Sequence, residues 1–197
     1  MTFSYLALLA LAAGYLLGSV PTGLWLGLRL RGVDIREAGS RNIGATNTMR
    51  VLGKKLGAAA LAADIAKGLT AVLLIARLDP AQPHLPLFCG VAAILGHSFS
   101  IFLRFRGGKG VATSAGVFLG LAPGPMAIAI AVFAAVVAAT RMVSAASVCA
   151  AAALAVSVWF FPLSTVIRVV VAVVAILVIL KHRANIRRIL RGEENKI

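Results

Sequence analysis

Acidic residues are scarce in this sequence, which holds 6 Asp and Glu against 20 Lys and Arg. So few carboxylates do not favour the converging acids that a Mg²⁺-dependent phosphotransferase needs, and we expect no metal and no other cofactor. The 2 cysteines and 7 prolines likewise exclude a disulfide scaffold and a disordered, proline-rich chain.

Apolar residues, in contrast, make up 60% of the 197 positions, and the mean hydropathy is +0.97. A soluble domain of this size has no core large enough to bury that much apolar side chain. A bilayer supplies the missing apolar surroundings, so we expect an integral membrane protein. The net charge of +14 then indicates cytoplasmic loops rather than a nucleic-acid partner.

The apolar runs predict an all-α fold in one polytopic domain, residues 1–197. Pro123 and Pro125 divide one long run and Pro162 divides another, because proline interrupts a helix. The fourth segment is short, at about 18 Å against a bilayer core of about 30 Å. The seven predicted transmembrane segments are 5–28, 56–76, 85–103, 111–122, 126–140, 142–161 and 163–180.

The basic residues predict an outside N-terminus and a cytoplasmic C-terminus. With this orientation every Lys and Arg except Lys67, Arg77 and Arg168 lies in an inner connection or in the C-terminal tail. Positive charge follows the first run rather than preceding it, so we expect a retained helix and not a cleaved signal peptide. A six-segment alternative places the basic tail 181–197 outside and is disfavoured for that reason.

Three inner segments combine basic side chains with glycine or amide groups. The first contains GSRNIGATNTMR, in which glycines let the backbone approach an anion and arginines offer a fork for phosphate. The alternative is a polar loop that only obeys the charge rule. The candidate residues of this segment are Ser40, Arg41, Asn42, Asn47 and Arg50.

The second segment, RFRGGKG, places Gly107, Gly108 and Gly110 around Lys109 just before a predicted helix. This pattern resembles an anion-binding nest, although Gly110 stands where a Walker A loop has Ser or Thr. The alternative is a flexible basic turn.

The third segment continues the last predicted helix into the tail and puts His182 and Asn185 on one helical face. The alternative is a basic tail that binds anionic headgroups. Within the spans, Asp64 and Lys67 are expected to neutralise each other, and His97 is expected to make hydrogen bonds in the core or behind the site.

Several separated strings carry a family resemblance: GSVPTG, GSRNIGATN with Arg50, DIAKG, GHSFSIFLRFRGGKGVAT and KHRANIRRILRGEENK. They resemble the bacterial membrane glycerol-3-phosphate acyltransferases that use acyl phosphate, the PlsY family. The resemblance implies a seven-span enzyme of the bacterial cytoplasmic (inner) membrane with its site facing the cytoplasm. It also implies acyl transfer from acyl phosphate to the 1-hydroxyl of glycerol 3-phosphate, which yields lysophosphatidic acid and phosphate in the first acylation step of phospholipid synthesis.

On this hypothesis Ser40, Lys109 and Asn185 hold the donor phosphate and the developing oxyanion. His182 orients a substrate oxygen or acts as a general base. A nucleophilic Ser40 is less favoured, because no base adjoins it in sequence. Glycerol 3-phosphate is assigned to Arg41, Asn42 and Arg50 with support from Asn47, and the phosphate-binding backbone to Gly107, Gly108 and Gly110.

The expected partners are therefore acyl phosphate, glycerol 3-phosphate and membrane lipid, and we expect the chain to act as a monomer. Acyl-CoA is disfavoured as the donor by the resemblance alone. A membrane carrier for a phosphorylated solute is the main alternative, but the outer connections lack the polar residues that it needs. A non-catalytic lipid-binding or scaffold protein does not require the Ser40, Lys109 and His182 combination.

Overall fold

A computed structural model of the protein describes residues 4–197, and these residues form α-helices, three short 3₁₀ turns and loops without any strand. They divide into two compact units, one ending at Leu121 and the other spanning Ala122–Ile197. The first unit contains α1 (Tyr5–Ser19), α2 (Thr22–Arg31), α3 (Ala45–Leu52), α4 (Lys54–Leu73), α5 (Leu85–Ser98) and α6 (Val111–Leu121). The second contains α7 (Pro123–Thr140), α8 (Val143–Ser157), α9 (Thr165–Lys181) and α10 (Arg183–Leu190).

The described residues contain between 4 and 6 helical stretches that are long and apolar enough to cross a membrane. Two further pairs of helices, α1 with α2 and α9 with α10, reach the necessary length only when each bent pair counts as one span. The α6 helix has 11 residues and is shorter than a full span, as the sequence predicts. The 4 unbroken candidates are Lys54–Leu78, Leu85–Leu103, Pro123–Thr140 and Val143–Phe160.

Proline determines where two of the long apolar runs are interrupted. The α1 helix ends just before Pro21, and α2 leaves it at an angle of 47°. The predicted break at Pro123 is confirmed, since α6 ends at Leu121 and α7 begins at Pro123. The α7 helix begins three residues before the predicted position 126, because proline is tolerated in the first helical turn.

The C-terminal tail corrects one expectation. The sequence predicts that the last span continues straight into the tail, and this is wrong. The α9 helix ends at Lys181, and α10 departs at an angle of 57°. His182, with φ −96° and ψ 4°, lies at the bend, whereas Asn185 lies within α10.

Helices of the first unit approach one another closely through glycine. A Cβ on Gly18 of α1 would lie 2.1 Å from the carbonyl oxygen of Ala93 on α5. A Cβ on Gly116 of α6 would lie 1.9 Å from the carbonyl oxygen of Ile65 on α4. Small residues at helix contacts are typical of membrane proteins, where close backbone packing replaces the hydrophobic drive that water supplies to soluble folds.

The second unit exposes an apolar stripe along α9. The residues of this stripe recur every three or four positions and therefore lie on one helical face. Such a face is stable against lipid tails and costly in water. The exposed residues are Val166, Val169, Val173, Ile176 and Leu180.

Candidate active site

A buried amide holds the first of the predicted site loops, residues 33–44. Asn47, on the α3 helix that follows this loop, is 1% exposed. Its Oδ1 accepts the backbone N–H of Ser40 at 2.8 Å. Its Nδ2 donates to the carbonyl oxygens of Ile35 and Asn42, both at 2.8 Å, and of Ala38 at 3.2 Å. The Asn47 side chain therefore shapes the loop from inside.

The same loop presents its charged and hydroxyl groups outward. Ser40 and Arg41 are exposed, as is Arg50 on the α3 helix that follows, and Arg41 has a φ of +57°, in the left-handed region that side chains rarely adopt. The Oδ1 of half-buried Asn42 accepts the Gly44 N–H at 2.9 Å. An arginine with a strained backbone beside an exposed serine is typical of a binding loop, and the backbone of this loop is held by Asn47.

The second site loop, residues 99–110, is held by its own backbone. The N–H of Gly108 donates to the carbonyl of His97 at 2.9 Å, and the N–H of Gly107 donates to that of Ser98 at 3.3 Å. A Cβ on Gly107 would lie 2.0 Å from the His97 carbonyl oxygen, so only glycine fits there. Lys109 is half-buried between Gly108 and Gly110.

The start of α6 completes this second loop. Gly110 has a φ of +79°, which favours glycine, and Val111 begins the helix. Lys109 thus lies two positions before the first residue of a helix, and the first N–H groups of a helix favour an anion.

Apolar packing joins the two loops within the first unit. Leu24 of α2 forms a buried cluster with Ile35 and Ile43 of the first loop. Leu103 of the second loop packs against that cluster. The structure therefore brings together two segments that lie more than 50 positions apart in the sequence.

The remaining predicted site residues, His182 and Asn185, belong to the second unit. His182 is 2% exposed, and its Nδ1 lies 2.7 Å from the carbonyl oxygen of Val178. A carbonyl only accepts, so Nδ1 carries the proton, and in the neutral ring Nε2 is the nitrogen with the lone pair. A carbonyl contact of this kind fixes both the tautomer and the ring orientation.

An acidic residue that the sequence analysis did not select organises the tail. Glu194 Oε1 accepts Asn185 Nδ2 at 2.7 Å and Ser144 Oγ at 2.8 Å. Arg188 Nε donates to Glu194 Oε2 at 2.8 Å. The tail also pairs with the α7–α8 turn, where Ile197 donates its N–H to the Arg141 carbonyl at 2.9 Å.

These contacts define the charge state of the tail carboxylate. Burial raises the pKa of Glu194, but the hydrogen bonds from Asn185, Ser144 and Arg188 outweigh that effect, and the net pKa is lowered. Glu194 is therefore ionised and fixes the orientation of the Asn185 amide. The sequence signal that could have found it is the pair of adjacent acids, Glu193 and Glu194, at the end of a tail whose other charged residues are basic.

The expected neutralisation inside the first unit is confirmed. Lys67 Nζ lies 2.6 Å from Asp64 Oδ1, and both side chains are buried. His97 is buried as well, with its Nδ1 3.9 Å from the same carboxylate oxygen. All three side chains are buried, in contrast to the exposed Ser40 and Arg41 of the first loop.

Taken together, the apolar helices and the two basic, glycine-containing loops define a polytopic membrane protein with segments suited to phosphorylated ligands. Comparison with known proteins makes this more specific. Residues 8–192 match the glycerol-3-phosphate acyltransferase family. The glycerol-3-phosphate acyltransferase of Trichlorobacter lovleyi is 48% identical over 186 residues, covering 94% of this chain and 95% of that protein.

The corresponding protein of Geobacter sulfurreducens is also 48% identical, over 96% of each chain. Among solved structures, the glycerol 3-phosphate form of PlsY (YgiH), an integral membrane glycerol 3-phosphate acyltransferase, superposes with a TM-score of 0.90 at 34% identity. That match covers 97% of this chain and 95% of the other, and the lysophosphatidic acid form gives a TM-score of 0.88. The chain belongs to the PlsY family of membrane glycerol-3-phosphate acyltransferases.

Proposed function

We propose that this protein transfers a fatty acyl group from acyl phosphate to the 1-hydroxyl of glycerol 3-phosphate, which gives lysophosphatidic acid and phosphate. This is the first acylation step of phospholipid synthesis. The observation that supports it best is the pair of packed loops in the first unit, which carry Arg41 and Lys109, with Arg50 on the helix that follows the first loop. Both substrates carry phosphate, and arginine and lysine in such loops are suited to bind it.

We assign the donor phosphate to Lys109, Ser40 and Asn185, with backbone donors from Gly107, Gly108 and Gly110. Glycerol 3-phosphate is assigned to Arg41, Arg50 and Asn42. Asn47 is given a positioning role, because its amide is buried and bonded to the loop backbone.

The reaction is a direct acyl transfer without a metal. The 1-hydroxyl oxygen attacks the acyl carbonyl carbon, a new ester bond forms, and the bond from that carbon to the phosphate oxygen breaks. His182, whose ring is oriented by the contact between Nδ1 and the Val178 carbonyl, either orients a substrate oxygen or accepts the hydroxyl proton as a general base. Phosphate departs with the electron pair of the broken bond, and donors around the carbonyl stabilise the oxyanion.

The topology proposed for this enzyme is a single polytopic domain with seven spans. The α1–α2 pair counts as one span, α6 is the short fourth, and α4, α5, α7, α8 and α9 are the others. The N-terminus lies outside and the C-terminus in the cytoplasm of a bacterium, with the enzyme a monomer in the cytoplasmic membrane. The distribution of Lys and Arg supports this orientation.

Purified protein in mild detergent, given glycerol 3-phosphate with either acyl phosphate or acyl-CoA in the presence of EDTA, tests the proposal. We expect lysophosphatidic acid and phosphate with acyl phosphate only. Product from acyl-CoA alone would overturn the donor, and dependence on added Mg²⁺ would overturn the metal-free mechanism. Absence of product from both donors would overturn the reaction and favour the solute carrier, which flux assays in vesicles detect.

Lys109→Ala tests the assignment of the donor site. We expect turnover to fall by at least about 100-fold, because a positioned cation on the transferring group is lost, while the protein elutes from size exclusion as the wild type does. Lys55→Ala is the matched control, since Lys55 is exposed at the start of α4. Near-normal turnover in the Lys109 variant would contradict the assignment.

A further inference from the structure

Three ionisable side chains are buried together in the first unit and take no part in the proposed reaction. Asp64 and Lys67 on α4 are 2% and 6% exposed, and His97 on α5 is 5% exposed. Both helices belong to candidate membrane spans. Ionisable groups at such positions are costly to bury, and they are typical of functional sites rather than of packing.

The three side chains lie close together, and we call them the buried triad. Lys67 Nζ lies 2.6 Å from Asp64 Oδ1, and His97 Nδ1 lies 3.9 Å from that same oxygen. The opposite charges of Asp64 and Lys67 cancel, which lowers the cost of burying them. An apolar pair would fill the same space at less expense, so the polar atoms need a reason to be there.

One end of the buried triad reaches the second loop. The His97 carbonyl accepts the Gly108 N–H at 2.9 Å. The His97 ring also lies against Gly108: a Cβ there would meet Nε2 at 2.3 Å, and its three nearest neighbours would all be atoms of this ring. The backbone carbonyl and the ring of His97 therefore both contact Gly108, the residue that precedes Lys109.

The other end reaches the break between α1 and α2. Lys67 Nζ donates to the Val20 carbonyl at 2.7 Å. This carbonyl lies directly before Pro21, where the helix is interrupted and its hydrogen bonds must be replaced. The α2 helix that leaves the break carries Leu24, which packs on Ile35 of the first loop.

We propose that Asp64, Lys67 and His97 are positioning residues for acyl transfer, which hold the two substrate loops in a common frame. His97 bounds the glycine segment that presents Lys109, Lys67 fixes the start of α2 that supports the first loop, and Asp64 joins the two. This proposal rests on the proposed function and adds residues that act through the loops without touching substrate.

The effect on substrate affinity is the first test. In His97→Ala the ring that packs against Gly108 is removed from the second loop. We expect KM for acyl phosphate to rise about tenfold, as is typical when a residue supporting a binding group is removed. KM for glycerol 3-phosphate should stay within about twofold. His84→Ala is the control, because His84 precedes α5 outside the buried triad. A lower kcat with both KM values unchanged would show a merely structural role and overturn the proposal.

A double-mutant cycle provides a sharper test. Gly108→Ala puts a methyl group against the ring, and we expect it to lower kcat/KM for acyl phosphate by about 100-fold, since the loop must shift. In the His97→Ala background the ring is absent, so the same methyl should cost about tenfold or less. Costs that multiply independently in the double variant would overturn the proposed contact.

Hydrogen exchange of the Gly107 and Gly108 amides separates this proposal from the proposed reaction. We expect faster exchange in His97→Ala than in His84→Ala, whether or not the enzyme turns over acyl phosphate. If the wild type proves inactive with acyl phosphate and His97→Ala still exchanges faster than His84→Ala, the proposed reaction is rejected and the contact between His97 and the second loop is kept. If both exchange and KM are unchanged in His97→Ala, the positioning role of the buried triad is rejected. If His97→Ala does not fold, His97→Asn, which keeps a side-chain nitrogen near the Nδ1 position, carries the same measurements with smaller expected shifts.

Discussion

The two loops of the first unit reach fixed shapes by opposite means. The first loop, residues 33–44, is held by one buried side chain from the helix that follows it, Asn47, which bonds four backbone groups of the loop. In the second loop, residues 99–110, the absence of side chains at Gly107 and Gly108 lets the backbone bond directly to the end of α5. The shape of a loop can therefore be fixed by hydrogen bonds from one buried side chain, or by two glycines whose lack of a side chain lets the backbone approach a neighbouring helix.

This difference predicts different responses to mutation. Adding atoms should damage the second loop through geometry, whereas removing atoms should damage the first loop through lost hydrogen bonds. Steric conflict with backbone cannot be relieved by a rotamer change, and lost hydrogen bonds are partly replaced by water. We therefore expect the largest effects in the glycine loop.

Gly107→Ala should have the largest effect. The new methyl would lie 2.0 Å from the His97 carbonyl oxygen, and its other close neighbours are backbone too, so the loop must move away from α5. We expect turnover to fall by at least about 100-fold. Gly120→Ala on α6 is the matched control, because its closest neighbour is a Val72 side-chain atom at 3.1 Å. Steady-state acyl transfer measures both, and equal activity of the two variants would contradict the steric account.

Asn47→Ala should come next. The variant leaves the carbonyls of Ile35 and Asn42 and the N–H of Ser40 without their partner, at a cost of about 3 kcal/mol of unfolding free energy. Thermal unfolding in detergent measures the loss, and activity should fall with it. Thr46→Ala, one position earlier on α3, is the control. A destabilisation no greater than that of the control would refute the role of the Asn47 amide.

The tail of the second unit offers an intermediate case, since its organising group is a charge. Glu194→Gln should destabilise the tail by about 1–2 kcal/mol, because three donors lose their carboxylate acceptor. Exposed Glu193→Gln is the control. Limited proteolysis of residues 191–197 measures the change, and equal cleavage of the two variants would speak against the cluster.

The same cluster predicts a pH dependence with a definite sign. The pKa of Glu194 is lower in the folded protein than in the unfolded chain. Its contribution is therefore complete at neutral pH and is lost as the pH falls through the lowered pKa. Tail protection should weaken in acid in the wild type and show no such loss in Glu194→Gln.

Asp34→Asn should have the smallest effect. Arg36 donates to Asp34 at 2.6 Å, and this hydrogen bond lowers the pKa of Asp34, but the Arg36 side chain is 49% exposed. Solvent and salt screen such a pair, so we expect a loss of about 0.5 kcal/mol or less. Unfolding at low and high salt, with exposed Glu37→Gln as control, measures it; a loss as large as that of Asn47→Ala would refute the ranking.

Much of the fold could be predicted from local pattern. Long apolar runs predict the helices because a bilayer requires them, and proline predicts the interruptions near 123 and 162 because it lacks an N–H. The i, i+3 spacing of Asp64 and Lys67 predicts their ion pair, since both lie on one turn of one helix. The helical bend at His182 was not predicted, because nothing in the local sequence forbids a straight helix there.

The candidate site likewise combines residues that the sequence predicts with contacts that only the structure shows. Sequence alone determined the chemical inventory: the arginines, the glycines and Lys109, His182 and Asn185, because these residue types bind phosphate or move protons wherever they are placed. Only the tertiary structure decided that Asn47 is buried and shapes the first loop, that Glu194 holds Asn185, and that Leu103 joins the loops. Leu103 meets residues about 60 positions away, and the Asn47 and Asn185 contacts join residues 5 to 12 positions apart across turns of the backbone. No regular helical spacing relates such partners, so the sequence pattern alone does not encode which groups will meet.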